Sequence, residues 1–71
     1  MPIVNIQITR EGATQEQKAE LIRGATELLV RVLDKNPATT FVVIEELDTD
    51  HWGIGGETVT VLRKRAKANA R

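Results

Sequence analysis

The chain has no cysteine, serine or tyrosine in its 71 residues. Without cysteine there is no disulfide to brace a small fold and no thiolate to attack a substrate or hold a metal. With serine and tyrosine also missing, the usual side-chain nucleophiles are nearly excluded. Aromatic rings are limited to Phe41 and Trp52, and the only histidine is His51. One histidine and no cysteine argue against a metal centre. No apolar run approaches the roughly 20 residues that cross a membrane. The N-terminus lacks the basic start and apolar core of a signal peptide. These absences point to a cytoplasmic protein with no membrane partner.

Charge of one sign is missing as well, but only locally. Residues 1–62 carry five basic and ten acidic side chains, and residues 63–71 carry Arg63, Lys64, Arg65, Lys67 and Arg71 with no acid. A basic tail of this kind touches nucleic acid, or is solvated, or packs on an acidic neighbour. It contains no aromatic residue on which a base could stack, so nucleic acid is not the expected partner. Residues 1–71 make one small domain. A domain of this size buries only about 60% of its unfolded surface. With neither disulfide nor metal available, association with further copies of itself is the expected support.

The pattern along the chain reads strand, helix, strand. Val4, Ile6 and Ile8 alternate with Asn5, Gln7 and Thr9 over Pro2–Thr9, as in a half-buried strand. Arg10–Ala13 breaks the alternation as a loop. Thr14-Gln15-Glu16-Gln17 fits a capping box, and Leu21, Ile22, Ala25, Leu28, Leu29, Val32 and Leu33 follow at helical spacing. Gly24 inside this helix costs about 1 kcal/mol relative to alanine and leaves room for a neighbouring backbone. Asp34-Lys35-Asn36-Pro37 stops the helix, with Asn36 suited to a left-handed cap. Thr39–Leu47 is a second strand whose Phe41-Val42-Val43-Ile44 run is apolar on both faces, as in a covered strand.

After the turn Asp48–Asp50, the glycine-rich Trp52–Gly56 segment reads as a bulged hairpin or tight loop. It is not a phosphate loop, because no Lys-Ser/Thr follows and no strand-to-helix context surrounds it. Residues 58–62 are a short strand or helical turn before the basic tail. Two strands joined by one helix are parallel. Such a sheet has two open edges, so further copies should complete it. Glu45 and Glu46 are adjacent in a strand and face opposite sides, so they are not a carboxylate pair. His51 reads as a turn residue rather than an acid–base group, and Trp52 as an interface anchor or a pocket wall.

The reactive group that remains lies at the start. A small residue after the initiator lets Met1 be removed, and Pro2 then carries a free secondary amine. A chain-terminal amine titrates at about 7.7–8.0, and a prolyl amine begins somewhat higher. An apolar pocket or a nearby cation lowers it, toward the range where a general base works best. If Met1 is retained, the same nitrogen is an amide and not a base.

Pro2-Ile3 at the start, Glu16-Gln17-Lys18 opening the helix and His51-Trp52-Gly53-Ile54-Gly55-Gly56-Glu57 in the hairpin resemble the 4-oxalocrotonate tautomerase family. The likeness spans residues 2–65. It implies an α+β fold built on a β-α-β unit: two parallel strands, a crossover helix and a C-terminal hairpin. It implies dimers with combined sheets, and three dimers in a hexamer. It implies Pro2 as the general base of an enol–keto isomerisation of a small 2-hydroxy-dienoate, with no cofactor and no metal. Trp52 stands where the family usually has phenylalanine and would form the apolar wall that keeps the Pro2 amine's pKa low. Ile8 and Phe41 are further wall candidates.

Two departures bear on the substrate. The family places one arginine after the Glu-Gly of the first loop, where this chain has Ala13, and a second early in the second strand, where it has Phe41. These arginines grip the carboxylates of a diacid. Arg10 is the expected replacement, with a partner such as Glu11 as its competing structural role; Arg31 and Arg63 are weaker candidates. A substrate with one carboxylate and an apolar end fits this pattern better than a diacid. Some relatives are haloacrylate dehalogenases, which need a water-activating acid; Ile54, Asn5 and Gln7 stand where such an acid would be, which favours a tautomerase. A non-catalytic oligomeric binding protein of the same fold is the other reading.

Overall fold

The computed structural model describes residues 1–69. The order is β1 (Ile3–Thr9), α1 (Gln15–Leu33), a 3-10 turn (Pro37–Thr39), β2 (Phe41–Leu47), a second 3-10 turn (Thr49–His51), β3 (Gly53–Ile54), β4 (Glu57–Thr58) and α2 (Val59–Asn69). β1 and β2 pair in parallel, from Ile3 beside Phe41 to Thr9 beside Leu47. β3 and β4 form a separate antiparallel hairpin.

Helix α1 starts where the capping box places it. The Thr14 side chain accepts the Gln17 N–H at 3.1 Å, and the Gln17 side chain accepts the Thr14 N–H at 2.9 Å. Each bond satisfies a backbone donor that the first turn leaves unpaired. The stop differs from the expectation at Asn36. Asp34 takes the left-handed conformation, with φ 52°, and its N–H reaches back to the carbonyls of Leu29 and Val30. Asn36 is extended and caps the 3-10 turn, accepting the Ala38 N–H at 2.9 Å. Pro37 fits the first position of that turn, where it has no N–H to waste. The turn consumes Thr39, so β2 begins at Phe41 rather than Thr39.

The hairpin turns on Gly55 (φ 61°) and Gly56 (φ 89°). Positive φ at both central residues of a two-residue loop is the type I′ pattern, whose twist matches paired strands. Of the two readings, bulged hairpin or tight loop, the structure has a tight hairpin without a bulge; Ile54 pairs directly with Glu57. The Val59 N–H then bonds the Trp52 carbonyl at 2.8 Å, closing the hairpin against the start of α2. The Thr58 hydroxyl accepts the Val61 N–H at 3.2 Å and caps that helix. The helix runs on through Arg63, Lys64, Arg65 and Lys67. The basic segment is therefore a continuation of α2, not a loose tail, and two of its cations pair with acids. Arg71 lies outside the described residues.

This subunit does not close a core. Val59 alone falls in the buried class among the described residues, at 8% exposure. Val4, Ile6, Ile8, Val42 and Ile44 are half-buried under α1. On the opposite face Ile3, Phe41 and Val43 are open to solvent, as are Leu28, Val32 and Leu33 on α1. The expected covered strand is thus covered on one face only within a single chain. The accessible surface is 5657 Å², against roughly 4,400 Å² for a compact monomer of this mass. The radius of gyration is 16.4 Å, against about 11 Å for a compact domain of this length. An apolar groove of about 670 Å³ runs between β1 and α1, lined by Ile6, Leu21, Gly24 and Leu28 among others. A Cβ added at Gly24 would meet nothing within 4 Å, so the space that glycine leaves is not filled from within the chain. The sheet is open at both edges and is completed by association with further subunits.

Candidate active site

The parallel register divides the expected site residues between the two ends of the sheet. Pro2 precedes β1, and its carbonyl accepts the Phe41 N–H at 3.0 Å. That bond fixes Pro2 and Phe41 side by side at one end. Pro2 is half-buried, Phe41 is 51% exposed, and Met1 is 89% exposed. Ile8, Arg10 and Trp52 gather at the other end. A strand rises about 3.3 Å per residue, so six residues separate Pro2 from Ile8 by about 20 Å. No side chain spans that distance. Within one chain Trp52 cannot wall the amine of Pro2.

The Ile8 end carries a cleft. It is an open, shallow recess of about 600 Å³, lined by Gln7, Ile8, Thr9, Glu11, Ala13 and Trp52, with Gly12 and Gln17. A smaller recess of about 220 Å³ lies beyond the indole, against Gln7, Leu47 and His51. Trp52 is shared by both, half-buried, and held through its backbone to Thr49 and Val59. Within this chain the indole lines both recesses.

Ion pairs line the loops around the cleft. Arg10 does not pair with Glu11. Its Nε donates to Asp48 at 2.9 Å and its Nη2 to the Glu46 carbonyl at 3.2 Å. Neither partner lines the Trp52 cleft. The reason is local: the Arg10 N–H continues the ladder onto the Leu47 carbonyl at 2.8 Å, which sets the side chain beside Asp48. Glu11 instead meets Arg63 of α2, Nη1 to Oε1 at 2.7 Å, and the Thr9 hydroxyl donates to its other oxygen. The Arg63 hydrogen bond holds the Glu11 carboxyl below the usual range, with Thr9 adding to the effect, and the same bond raises Arg63. Lys18 pairs with Glu46. Glu57 takes both Arg65 nitrogens at 2.7 Å each, tying α2 back to the hairpin.

Arg31 is an exposed residue of the last turn of α1. Among the described residues no group of His, Cys, Asp and Glu could hold a metal ion. Among the described residues no helix is long and apolar enough to cross a membrane.

A β-α-β subunit with an open sheet, a base candidate at one end and an aromatic cleft at the other is one component of an oligomeric enzyme. Comparison with known proteins gives the family. A family model described as tautomerase enzyme matches residues 2–62. A protein named probable tautomerase K2 from Dickeya dadantii is 62% identical over 66 residues, covering 93% of this chain and 98% of its own. The 2-hydroxymuconate tautomerase of Pseudomonas putida is 42% identical over 64 residues, covering 90% of this chain and all of its own. A heterohexameric 4-oxalocrotonate tautomerase from Chloroflexus aurantiacus superposes with a TM-score of 0.77 at 33% identity, over 89% of this chain and 100% of the other. The chain belongs to the tautomerase family, and it is an isomerase of that family.

Proposed function

We propose that this tautomerase moves a proton within a small 2-hydroxy-dienoate or related alpha-keto acid, with Pro2 as the base. With Met1 removed, the Pro2 amine takes the enol proton. The O–H electron pair forms the carbonyl, and the conjugated system carries the charge to a distant carbon. The prolyl ammonium returns the proton there, so the product is an isomer and the amine is regenerated. No cofactor is required by this balance.

One observation carries the reading: Pro2 sits at the head of β1 with its carbonyl pinned by Phe41. A base held on a strand keeps its direction, which is the main condition for proton transfer. The wall that desolvates the amine must come from another copy, because Trp52 of the same chain is about 20 Å away by strand length. We assign Trp52 and Ile8 of a neighbouring subunit to that wall, and Phe41 to the near side. Desolvation by such a wall lowers the amine's pKa. Arg10 is assigned to the substrate carboxylate next to the enol. Its pair with Asp48 is exposed on both sides, at 60% and 58%, and exposed pairs exchange readily because they are weak. We propose a homohexamer, three dimers of this chain; the Chloroflexus relative is a heterohexamer.

The test couples two measurements on one sample: intact mass, and ketonisation of 2-hydroxymuconate and phenylenolpyruvate. Protein lacking Met1 should convert at least one enol well above the solvent rate. The pairing of Arg10 with Asp48 favours a second reading, a binding protein that kept the fold and lost the chemistry. Met1-free protein that converts neither enol would establish that one.

A further inference from the structure

The cleft at Trp52 has an electrostatic problem for the substrate just proposed. Every such substrate is an anion. The residues lining the cleft include no cation, and they include one acid, Glu11. Left alone, that carboxylate would repel the ligand. The cation in contact with it is Arg63, which reaches down from α2 to Glu11 Oε1. The pairing engages Nη1, and a guanidinium has five N–H donors, so donors remain for a second carboxylate. Arg63 and Glu11 are 53% and 51% exposed, so their pair is of the weak, exchangeable kind. The Thr9 hydroxyl also bonds Glu11, and would keep that carboxylate at the wall while Arg63 turns to another.

We propose that Arg63 is a substrate-carboxylate ligand of the Trp52 cleft, and that Glu11 is the internal carboxylate it exchanges. With Arg10 on the carboxylate beside the enol, Arg63 takes the one at the far end. The site then accepts a diacid, although Ala13 and Phe41 contribute no charge. The two arginines flank the same loop, Arg10 within it and Arg63 across from it. This rests on the tautomerase reading for its substrate, but the binding it describes needs no turnover.

The experiment therefore measures binding and kinetics separately. Titration calorimetry on the assembled protein uses two unreactive acids, muconate and phenylacetate. Kinetics use 2-hydroxymuconate and phenylenolpyruvate. R63A should raise the muconate Kd and the 2-hydroxymuconate KM about tenfold, the scale of one charged hydrogen-bonded contact. It should move the monoacid values less than about twofold and leave kcat nearly unchanged. R63K should fall between, since an ammonium grips one oxygen rather than two. E11Q should tighten muconate about two- to threefold by removing the competing anion. R65A breaks the other tie of α2, to Glu57, and serves as the structural control.

Equal losses for diacid and monoacid, or an R65A effect matching R63A, would reduce Arg63 to a strut and overturn the proposal. So would wild-type protein that does not bind muconate, or R63K and E11Q values equal to wild type. If the diacid-selective binding loss appears but no enol is converted, the ligand assignment stands and the catalytic reading fails instead.

Discussion

The two ends of the β1–β2 sheet are built on opposite plans. At the Pro2 end a single backbone bond to Phe41 holds the chain, and Met1, Ile3 and Phe41 lie open to solvent. At the Ile8 end the loops carry Arg10–Asp48, Lys18–Glu46 and Arg63–Glu11 pairs, and Trp52 lines an open cleft. The contrast separates two jobs. Polar contacts arrange the end that one chain must shape by itself. Apolar surface is left bare at the end that another chain must cover, because burial against a partner is the large term available to a small fold. On the proposed reading, Pro2 at one end and the Trp52 cleft at the other each need the other to work. The subunit is half of a site twice over.

The sharpest test of that division removes the base. Pro2→Ala, or forced retention of Met1, should lower kcat by about 10²–10⁴-fold, the range of a lost general base, while substrate affinity at the cleft persists. Steady-state kinetics beside ligand titration reads both. Undiminished turnover would end the role of Pro2.

The next test breaks the two ends separately and then mixes them. Trp52→Ala alone should reduce kcat/KM about tenfold by wetting the wall. Refolding equal amounts of Pro2→Ala and Trp52→Ala chains together should recover about a quarter of wild-type activity, since random assembly of a shared site leaves one in four with both native residues. A mixture no better than the mean of its parts would put Pro2 and Trp52 of one chain in one site, against the strand length.

A smaller effect is expected in the hairpin that presents Trp52. Gly56→Ala forces a Cβ onto a residue with φ 89°, at a cost of about 1 kcal/mol. Denaturation at fixed protein concentration measures it. Because nothing lies within 4 Å of the added carbon, the loss is backbone strain alone, and activity per folded subunit should hold.

The smallest effect concerns pH. The carboxyl of Glu11 is lowered from its ordinary 4.5, chiefly by Arg63. A depressed carboxylate stabilises the fold above its ordinary value and loses that contribution as pH falls through the depressed one. Wild type should therefore melt slightly above E11Q at pH 7, and the gap should close on going to about pH 3. The exposed setting keeps the difference to a degree or two. A gap that widens in acid would contradict the pairing.

Much of this was readable in the residues. The capping box at Thr14 and Gln17 placed the helix start to the residue, because both bonds are local and three positions apart. Gly55-Gly56 announced the hairpin turn, because only glycine takes positive φ twice at low cost. The helix stop was less legible: Asp34 and Asn36 both tolerate the left-handed region, and the choice fell on Asp34 once Asn36 was engaged by the Pro37 turn. The length of α2 was missed because Thr58–Leu62 alternates like a strand, and its helical form depends on caps and ion pairs to distant residues.

The site divides along the same line. From order and type alone, the sequence determined β1, α1, β2 and the hairpin, the parallel pairing, the need for partners and the candidates for chemistry. Those depend on periodicity and on which groups are present at all. Tertiary structure decided which of them meet. It set Pro2 beside Phe41 and away from Trp52, turned Arg10 onto Asp48, and brought Arg63 across 52 positions to Glu11. Such contacts follow from the register of β2 on β1 and the path of α2. No local spacing encodes either one, because the free energy that selects them comes from surfaces far apart in the chain.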